Sequence, residues 1–338
     1  MTKLTATHTR RAFLGTSTLA LAATALPRMA TAQDSWKPEH AVEIVVGVAP
    51  GGAQDRTARD VEANLKAIGA IPNDSITVNK PGGGHSVALA YTISHAGDAH
   101  YLQAIGGVML SNNILGRSPQ KYTDVTPIAM LFNEQMAFAV AKDSKITDAK
   151  TLLDMLAADP ASVSFSISSG IGTTNHISAL LVAKAAGADV TKLKAVAFDS
   201  SAEGVTATLG GHVDVAITTP FALDPFVESG ELRYIAVASD ERGSGLLADT
   251  PTWKELGVDA VVYAWRSVIA PPGLTEAQIA YWDKSFGELQ ASQAWQDMLA
   301  KENLVASPLD SKAFAAFLDK ENARYTELLA NATEPVKN

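Results

Sequence analysis

The chain has 338 residues, of which 47% are hydrophobic and 19% are charged, a composition that excludes intrinsic disorder and allows two globular domains. Its net charge of −9 at pH 7 makes nucleic acid and anionic membrane surfaces poor partners. The sequence contains no cysteine, which excludes a disulfide framework, a thiolate metal site and a lipid-modified cysteine.

Residues 1–32 have the pattern of an export signal. Three cationic residues precede an uncharged stretch over residues 14–26, and small residues end the segment at Ala32. The pair Arg10-Arg11 resembles the twin-arginine motif, with export by the Sec route as the alternative. A stretch this short does not span a bilayer, which needs roughly 20 apolar residues. We therefore expect cleavage near Ala32 and a periplasmic protein without membrane insertion.

Three strand–loop–helix units follow the signal, in the pattern of an α/β sheet with ligand loops at the carboxyl ends of its strands. In each unit an apolar strand runs into a loop rich in glycine or serine and then into a helical pattern. The three units cover residues 42–68, 75–95 and 163–186, with loops at 50–52, 80–84 and 168–176.

The remaining segments predict a second sheet and two crossings between lobes. The apolar segment 127–141 is predicted to cross from the first lobe to the second, and residues 265–269 to return. Strands are predicted at 101–105, 194–198, 213–218 and 232–238, and the tail from residue 275 is predicted to be helical. We predict one lobe from residues 33–132 and 263–338 and another from residues 133–262, joined by two crossings with a ligand cleft between them.

The first loop is predicted to bind an anion. Gly51, Gly52 and Ala53 connect a strand to a helix, where unpaired backbone N–H groups and the helix dipole favour a carboxylate. Asp55 either orders a water at the ligand or holds the loop, and it is spaced to form an ion pair with Arg59.

The other loops supply further candidates. In the second loop Asn79 and Gly83 are candidate contacts, although Pro-Gly sequences also form simple turns, and His85 is expected to face solvent or cap its helix. Serine and threonine hydroxyls in the third loop suit a carboxylate, and His176 is expected to pack. The candidates in and after the third loop are Ser168, Gly172, Thr173, Thr174 and Asp199, of which Thr173 or Thr174, and Asp199, alternatively cap helices.

Catalytic motifs are absent. The sequence has no complete dinucleotide fingerprint, no phosphate-loop lysine, no Gly-x-Ser-x-Gly and no His-Glu-x-x-His. No metal or cofactor is therefore expected. A serine hydrolase site using Ser168 and His176 is the alternative that the motifs leave open, and a ligand-presenting partner of a membrane kinase is another.

The ordered set of loops resembles the solute-binding receptors of the tripartite tricarboxylate transporters, the Bug-type periplasmic proteins. The resemblance runs from about residue 42 to 329 and is carried by seven motifs. They are Pro50-Gly51-Gly52-Ala53-Gln54-Asp55 with Ala58-Arg59, Asn79 to Gly84, Ser169 to His176, Leu209 to Asp214, Gly230 to Arg233, Pro251 to Gly257, and Trp265 to Gly273.

This resemblance implies a type II periplasmic-binding-protein fold without enzymatic activity. It implies a receptor that captures a small organic acid, a di- or tricarboxylate or a related carboxylate, and delivers it to membrane subunits. We expect the protein to be a monomer. By the same resemblance, the acid meets Gly51, Gly52, Ala53 and Asp55 from one lobe and the third loop from the other. The chain departs from the family pattern at Asp199, which places a carboxylate near the cleft.

Overall fold

The computed structural model describes residues 36–330, except for residues 52, 169 and 199. The predicted export signal lies outside the described residues, as do Gly52 and Asp199 from the predicted site. Within the described part of the chain, no helix is long and apolar enough to cross a membrane.

Eleven strands form in the described residues. They are β1 (Val42–Val46), β2 (Ser75–Asn79), β3 (Tyr101–Ile105), β4 (Thr126–Gln135), β5 (Ala137–Ala141), β6 (Ser164–Ser168), β7 (Lys194–Phe198), β8 (Val215–Thr218), β9 (Leu232–Val237), β10 (Tyr263–Ala270) and β11 (Val305–Leu309). The strands predicted at 75–79, 101–105 and 194–198 are confirmed at these bounds, because apolar runs bounded by glycine and polar residues mark strands well.

Ten α-helices accompany the strands in the same described residues. They are α1 (Ala53–Ala67), α2 (Ser86–Ile93), α3 (Val108–Ile114), α4 (Ala149–Ala158), α5 (Thr174–Ala185), α6 (Ser201–Leu209), α7 (Pro220–Glu228), α8 (Glu276–Ala291), α9 (Gln293–Lys301) and α10 (Ser311–Leu329). Thr275 and Asp310 are the N-cap residues of α8 and α10, and each side chain accepts a hydrogen bond from a backbone N–H of its helix.

The strands make two separate sheets. The first has the order β11-β4-β10-β3-β1-β2, and the second has the order β7-β6-β8-β5-β9. In the first sheet β1, β2 and β3 are parallel, and in the second β6, β7 and β8 are parallel. The chain is therefore a two-lobe α/β protein, with one sheet in each lobe.

The chain passes between the sheets at two places. β4 of the first sheet and β5 of the second are separated by the single residue Met136, so the apolar segment predicted over 127–141 is two strands in different sheets. The return lies between β9 and β10. The exact lobe limits given from the sequence remain a prediction.

Each sheet has a hydrophobic core. Val42, Leu102 and Trp282 belong to the core of the first sheet, whereas Phe138 and Phe165 belong to the core of the second. The second core continues to Phe314 of α10, a helix that packs against β4 and α3. Burial of large apolar side chains, worth about 1.5–3 kcal/mol for each, stabilises both sheets without any cross-link.

The prediction of a wholly helical tail is wrong at β11. Residues 305–309 pair antiparallel with β4 at the edge of the first sheet. The segment contains Pro308, which has no backbone N–H to donate. An edge strand tolerates proline where the backbone N–H would face away from the neighbouring strand and need no partner. Val305 is exposed, so the segment lacks the apolar alternation that marks a half-buried strand and carries no strand signal in its sequence.

Candidate functional site

The predicted site residues that the structure describes lie at or after the carboxyl ends of parallel strands. Because parallel strands of one sheet end at the same edge, the loops after β1, β2 and β3 come together, as do those after β6, β7 and β8. A cavity of about 50 Å³ lies beside the start of α1, the end of β4 and the loop after β8, and the third-loop candidates Ser168, Gly172, Thr173 and Thr174 are not among its lining residues. Gly51 and Ala53 line it from the first sheet, and Thr219 and Phe221 line it from the second. The two sheets thus share one cleft.

Asp55 holds the first loop in place. Its side chain is buried, and its carboxylate accepts hydrogen bonds from the Gly51 N–H at 2.9 Å and from Arg59 Nε and Nη2 at 3.0 Å each. Asn79 Nδ2 donates to the same carboxylate at 2.7 Å. Burial raises the pKa of Asp55, but these hydrogen bonds outweigh it and lower the pKa to about 2. Asp55 is therefore an ionised brace of the turn, and its predicted ion pair with Arg59 is present.

Asn79 joins the end of β2 to the first loop. Besides its bond to Asp55, its Nδ2 donates to the Val48 carbonyl at 2.9 Å, and its Oδ1 accepts from Arg59 Nη2 at 3.3 Å. The Gly51 N–H is thus used inside the loop. The N–H of Ala53 lies in the first turn of α1, where backbone donors have no acceptor within the helix.

The glycines of the second loop are required by the backbone. Gly82, Gly83 and Gly84 have φ values of 131°, 54° and 57°, which side chains rarely adopt. Asn112 Nδ2 donates a hydrogen bond to the Gly84 carbonyl and ties this loop to α3. The turn-forming interpretation therefore accounts for the three glycines, and ligand contact at Gly83 remains a prediction.

His85 does not have either of the roles expected from the sequence. It precedes α2, but its side chain makes no capping hydrogen bond, and a methyl group built on Gly47 would collide with its imidazole. Its Nδ1 is buried without a hydrogen-bond partner among the described residues. Burial, together with the charge of Arg266, lowers the pKa of His85 to about 4, so the ring is neutral at pH 7.

His176 holds the third loop as Asp55 holds the first. The Gly172 N–H donates to His176 Nδ1 at 3.2 Å, and the ring is 3% exposed. Burial, with the charge of Arg117, lowers the pKa of His176 to about 4, which keeps Nδ1 available as an acceptor. The expectation that His176 packs is confirmed, and the contact adds a positioning role that the sequence did not indicate.

The hydroxyl groups of the third loop bond to one another and to the backbone. Ser201 Oγ donates to Ser168 Oγ at 3.2 Å, and Thr218 Oγ1 donates to Ser201 Oγ at 3.0 Å. Thr173 is the N-cap residue of α5, yet its Oγ1 donates to the Gly170 carbonyl at 2.8 Å. No contact between Ser168 and His176 appears among the described hydrogen bonds, so the nucleophile–base pair of a serine hydrolase is not assembled.

The N-cap of α6 is Ser200, whose Oγ accepts from the Glu203 N–H at 3.2 Å. Asp199, for which capping was one prediction, lies outside the described residues. Thr174 begins α5 directly after the third loop.

Elements of the first lobe contact the third loop directly. Arg117 Nη1 donates to the Ile171 carbonyl at 2.9 Å, and a methyl group built on Gly172 would lie 2.8 Å from Leu115 Cδ1. A second contact is made at the cavity itself, where the Arg56 guanidinium lies 5.1 Å from the ring centre of Phe221. The two lobes therefore touch at two places.

The cavity is locally acidic on the side of α1. Arg56 pairs with Glu302 at 2.6 Å and with Asp60 at 3.8 Å, so two carboxylates share one guanidinium. Burial raises the pKa of Asp60, and Glu302 adds to the rise while Arg56 opposes it. Among the described residues, no group of three or more His, Asp or Glu side chains is placed to hold a metal ion.

Sequence reasoning missed a buried ion pair at the floor of the cleft. Arg266 Nη2 of β10 donates to Glu134 Oε2 of β4 at 2.5 Å, and both side chains are mostly buried, at 13% and 11% exposed. The signal was present, since Arg266 is a charged residue inside an otherwise apolar strand. Its partner is 132 residues away and could not be assigned from spacing.

Comparisons with known proteins place the chain in a family. Residues 57–333 match the model of the tripartite tricarboxylate transporter family receptor, TctC. Protein BugT of Bordetella pertussis is 24% identical over 287 residues, which are 82% of this chain and 86% of BugT. The predicted resemblance is thus confirmed over most of the chain.

Solved structures share the fold. The R. palustris protein Rpa4515, determined with adipate, has a TM-score of 0.76 at 22% identity, covering 88% of this chain and 99% of its own. MatC from Rhodopseudomonas palustris, with bound malate, has a TM-score of 0.72 at 21% identity, covering 86% and 99%. The two-lobe fold predicted from the sequence is confirmed, and the chain belongs to the receptor family of the tripartite tricarboxylate transporters.

Proposed function

We propose that this protein is a periplasmic receptor that captures a small organic acid between its lobes and delivers it to the membrane subunits of a tripartite tricarboxylate transporter. The observation that carries the proposal is the pair of braced loops, each at the edge of its sheet where the parallel strands end. Residues 1–32 supply the export signal in this proposal. The receptor acts by binding and release, without turnover of its ligand.

The braces support the proposal by fixing the loop backbones. Asp55 and His176 each hold a glycine N–H four residues earlier in the chain, which fixes the backbone where a helix begins. A site ordered before the ligand arrives loses less entropy on binding. We assign the first carboxylate of the acid to the N–H groups of Gly52 and Ala53 and to the hydroxyl groups of the third loop, including Thr173 and Thr174. The N–H groups of Gly51 and Gly172 instead donate to Asp55 and His176.

The relatives support an acid as the ligand class. Rpa4515, which has a similar fold, was solved with adipate, and MatC was solved with bound malate. Both compounds carry two carboxylates. The described hydrogen bonds give no support to the hydrolase alternative, since Ser168 bonds to Ser201. The kinase-partner alternative has no observation in its favour.

A thermal-shift screen of the mature chain against mono-, di- and tricarboxylates, aromatic acids and amino acids tests the proposal. A ligand at 100 times its Kd that binds only the folded state adds about 2.7 kcal/mol of stability, which raises the melting temperature measurably. We expect stabilisation by at least one carboxylic acid, and recovery of that acid unchanged by NMR. Conversion of the acid, lost in Ser168→Ala, would support the hydrolase instead.

Delivery needs its own measurement. Vesicles containing the large and small membrane subunits should take up the radiolabelled acid only when the mature receptor is added. Uptake at the same rate without the receptor would contradict the delivery step while leaving acid binding intact.

A further inference from the structure

Unpartnered polar atoms lie beside the Glu134–Arg266 pair, of which Glu134 lines the cavity. Arg266 Nε is buried and has no hydrogen-bond partner among the described residues, although a guanidinium carries five N–H donors. Gln54 Oε1 and His85 Nδ1 are also buried without partners in the described part of the chain. Buried polar groups are nearly always hydrogen-bonded in folded proteins, so a cluster of exceptions indicates a missing partner.

Two glycines provide the floor for this cluster. Gly47 follows β1 and Gly106 follows β3, and these strands are neighbours in the first sheet. A methyl group built on Gly106 would collide with the Trp265 carbonyl oxygen at 2.7 Å, and it would lie 3.5 Å from Gln54 Nε2 and 3.6 Å from Arg266 Nη1. The imidazole of His85 occupies the corresponding space above Gly47. The absence of side chains at both positions lets the polar groups of three elements reach one place.

The arrangement offers donors to an anion. Glu134 uses Arg266 Nη2, which leaves Nε and Nη1 on opposite edges of the guanidinium as single donors. The neutral ring of His85 lies close enough to be influenced by the guanidinium charge. A hydrogen bond from a guanidinium N–H to a carboxylate is charge-assisted and stronger than one between neutral groups. The acidic surroundings of Arg56 on the far side of the cavity disfavour an anion there.

We propose that Arg266, oriented by Glu134, binds a second carboxylate of the ligand and so selects diacids over monoacids. Gln54 completes this second subsite by donating from Nε2, and His85 does so in the neutral tautomer that carries its proton on Nδ1. The inference rests on the proposed function, in which the braced loops bind the first carboxylate. It names Arg266 as the residue that determines which acids the receptor accepts.

A purely structural interpretation gives Arg266 a different effect. Glu134 and Arg266 lie on β4 and β10, the two strands of the first sheet that lead to the second lobe, so the pair can stiffen the hinge. A hinge brace affects the binding of all acids equally. The ratio of two affinities measured on one protein therefore separates the two roles.

The test compares each diacid with its monoamide, which keeps the shape but loses one charge. Binding of succinate and succinamate, and of adipate and adipamate, is measured by calorimetry on the mature chain. The double variant Glu134→Gln with Arg266→Gln removes the pair without leaving a buried charge unpaired. The matched control replaces both members of the exposed pair Arg242–Glu255 with Gln. Arg266→Lys, which keeps the charge but loses the planar fork, is the second variant.

In the unchanged protein we expect at least one diacid to bind about 30-fold more tightly than its monoamide, the order expected for a charge-assisted pair. The double variant should reduce this ratio to about 3 or less, with little change in monoamide affinity. Arg266→Lys should give an intermediate ratio, and the Arg242–Glu255 control should keep the original one. Circular dichroism and the melting temperature check that each variant is folded.

Three outcomes oppose the inference in distinguishable ways. A double variant that keeps the original ratio removes Arg266 from the site. Equal affinity of the unchanged protein for each diacid and its monoamide overturns the second subsite but leaves the receptor function standing. If no carboxylic acid of the screen binds at all, the proposed function fails together with the subsite.

Discussion

Replacement of Asp55 by Asn tests whether the first loop depends on an ionised brace. Asp55 accepts four hydrogen bonds, from Gly51, Asn79 and two nitrogens of Arg59. In an Asn side chain an NH₂ group replaces one carboxylate oxygen, so it cannot accept from the N–H donors on that side. The Asn side chain also carries no charge. The loop should therefore loosen and lose both stability and ligand affinity, while the two sheets keep their folds.

The magnitude follows from the pKa of Asp55. A decrease from 3.8 to about 2 corresponds to about 2 kcal/mol of stability at pH 7, since each pKa unit is worth about 1.4 kcal/mol. Because the folded-state pKa is below the unfolded one, this contribution is present above pH 4 and is lost as the pH falls from about 4 to 2. The stability difference between the two proteins should therefore be constant from pH 7 to about 5 and shrink at lower pH.

Urea unfolding of the mature chain, followed by circular dichroism, measures this difference. Asp154→Asn is the matched control, because Asp154 forms only an exposed i,i+4 pair with Lys150, and its replacement should leave the unfolding midpoint unchanged. Equal stability of Asp55→Asn and the unchanged protein at pH 7 would refute the brace. A stability difference that stays constant down to pH 2 would show that something other than ionisation of Asp55 causes it.

Two further predictions concern the third loop. Burial lowers the pKa of His176 from 6.5 to about 4. Between these two pH values the unfolded chain binds a proton that the folded protein does not. The free energy of unfolding should therefore fall by about 2–3 kcal/mol as the pH falls from 6.5 to 4. His176→Gln should make the stability measured by urea unfolding less dependent on pH, and the dependence that remains should come from His85. An unaltered pH profile would show that His176 is not the group that titrates. Gly172→Ala should weaken acid binding at least tenfold, because its methyl group meets Leu115 and Ser111 and its φ is 81°. Gly187→Ala, with a φ of 73° and no atom within 4 Å of the new methyl group, is the control and should cost about 1 kcal/mol of stability without changing affinity.

Local signals predicted most of the fold. β2, β3 and β7 are short apolar or alternating runs bounded by glycine, proline or polar residues, so their limits followed from neighbouring residues alone. β11 was missed because its evidence is not local. It is an exposed edge strand that contains a proline, and only pairing with β4, about 170 residues earlier, makes it a strand.

The candidate loops were predictable in their place in the fold but not in their internal contacts. Glycine and serine loops after strands located the first and third loops correctly, because this placement follows from topology. The bond from Asn79 to Asp55 depends on the parallel register of β1 and β2, and the Glu134–Arg266 pair depends on strands 132 residues apart. Neither contact could be predicted from the spacing of its two residues in the sequence.

Asp55 and His176 hold their loops in the same way, although they are different residue types. In the first loop a carboxylate in the first turn of a helix accepts the N–H of the glycine four residues earlier, and in the third loop a neutral imidazole does the same. The anionic brace Asp55 is offset by Arg59, so the first loop adds no net charge to the cleft. The brace His176 stays uncharged because it is buried. Both loops can therefore be rigid without presenting a negative charge to an incoming acid, so discrimination between acids falls to groups outside the two braces, and the proposed second subsite assigns it to Arg266.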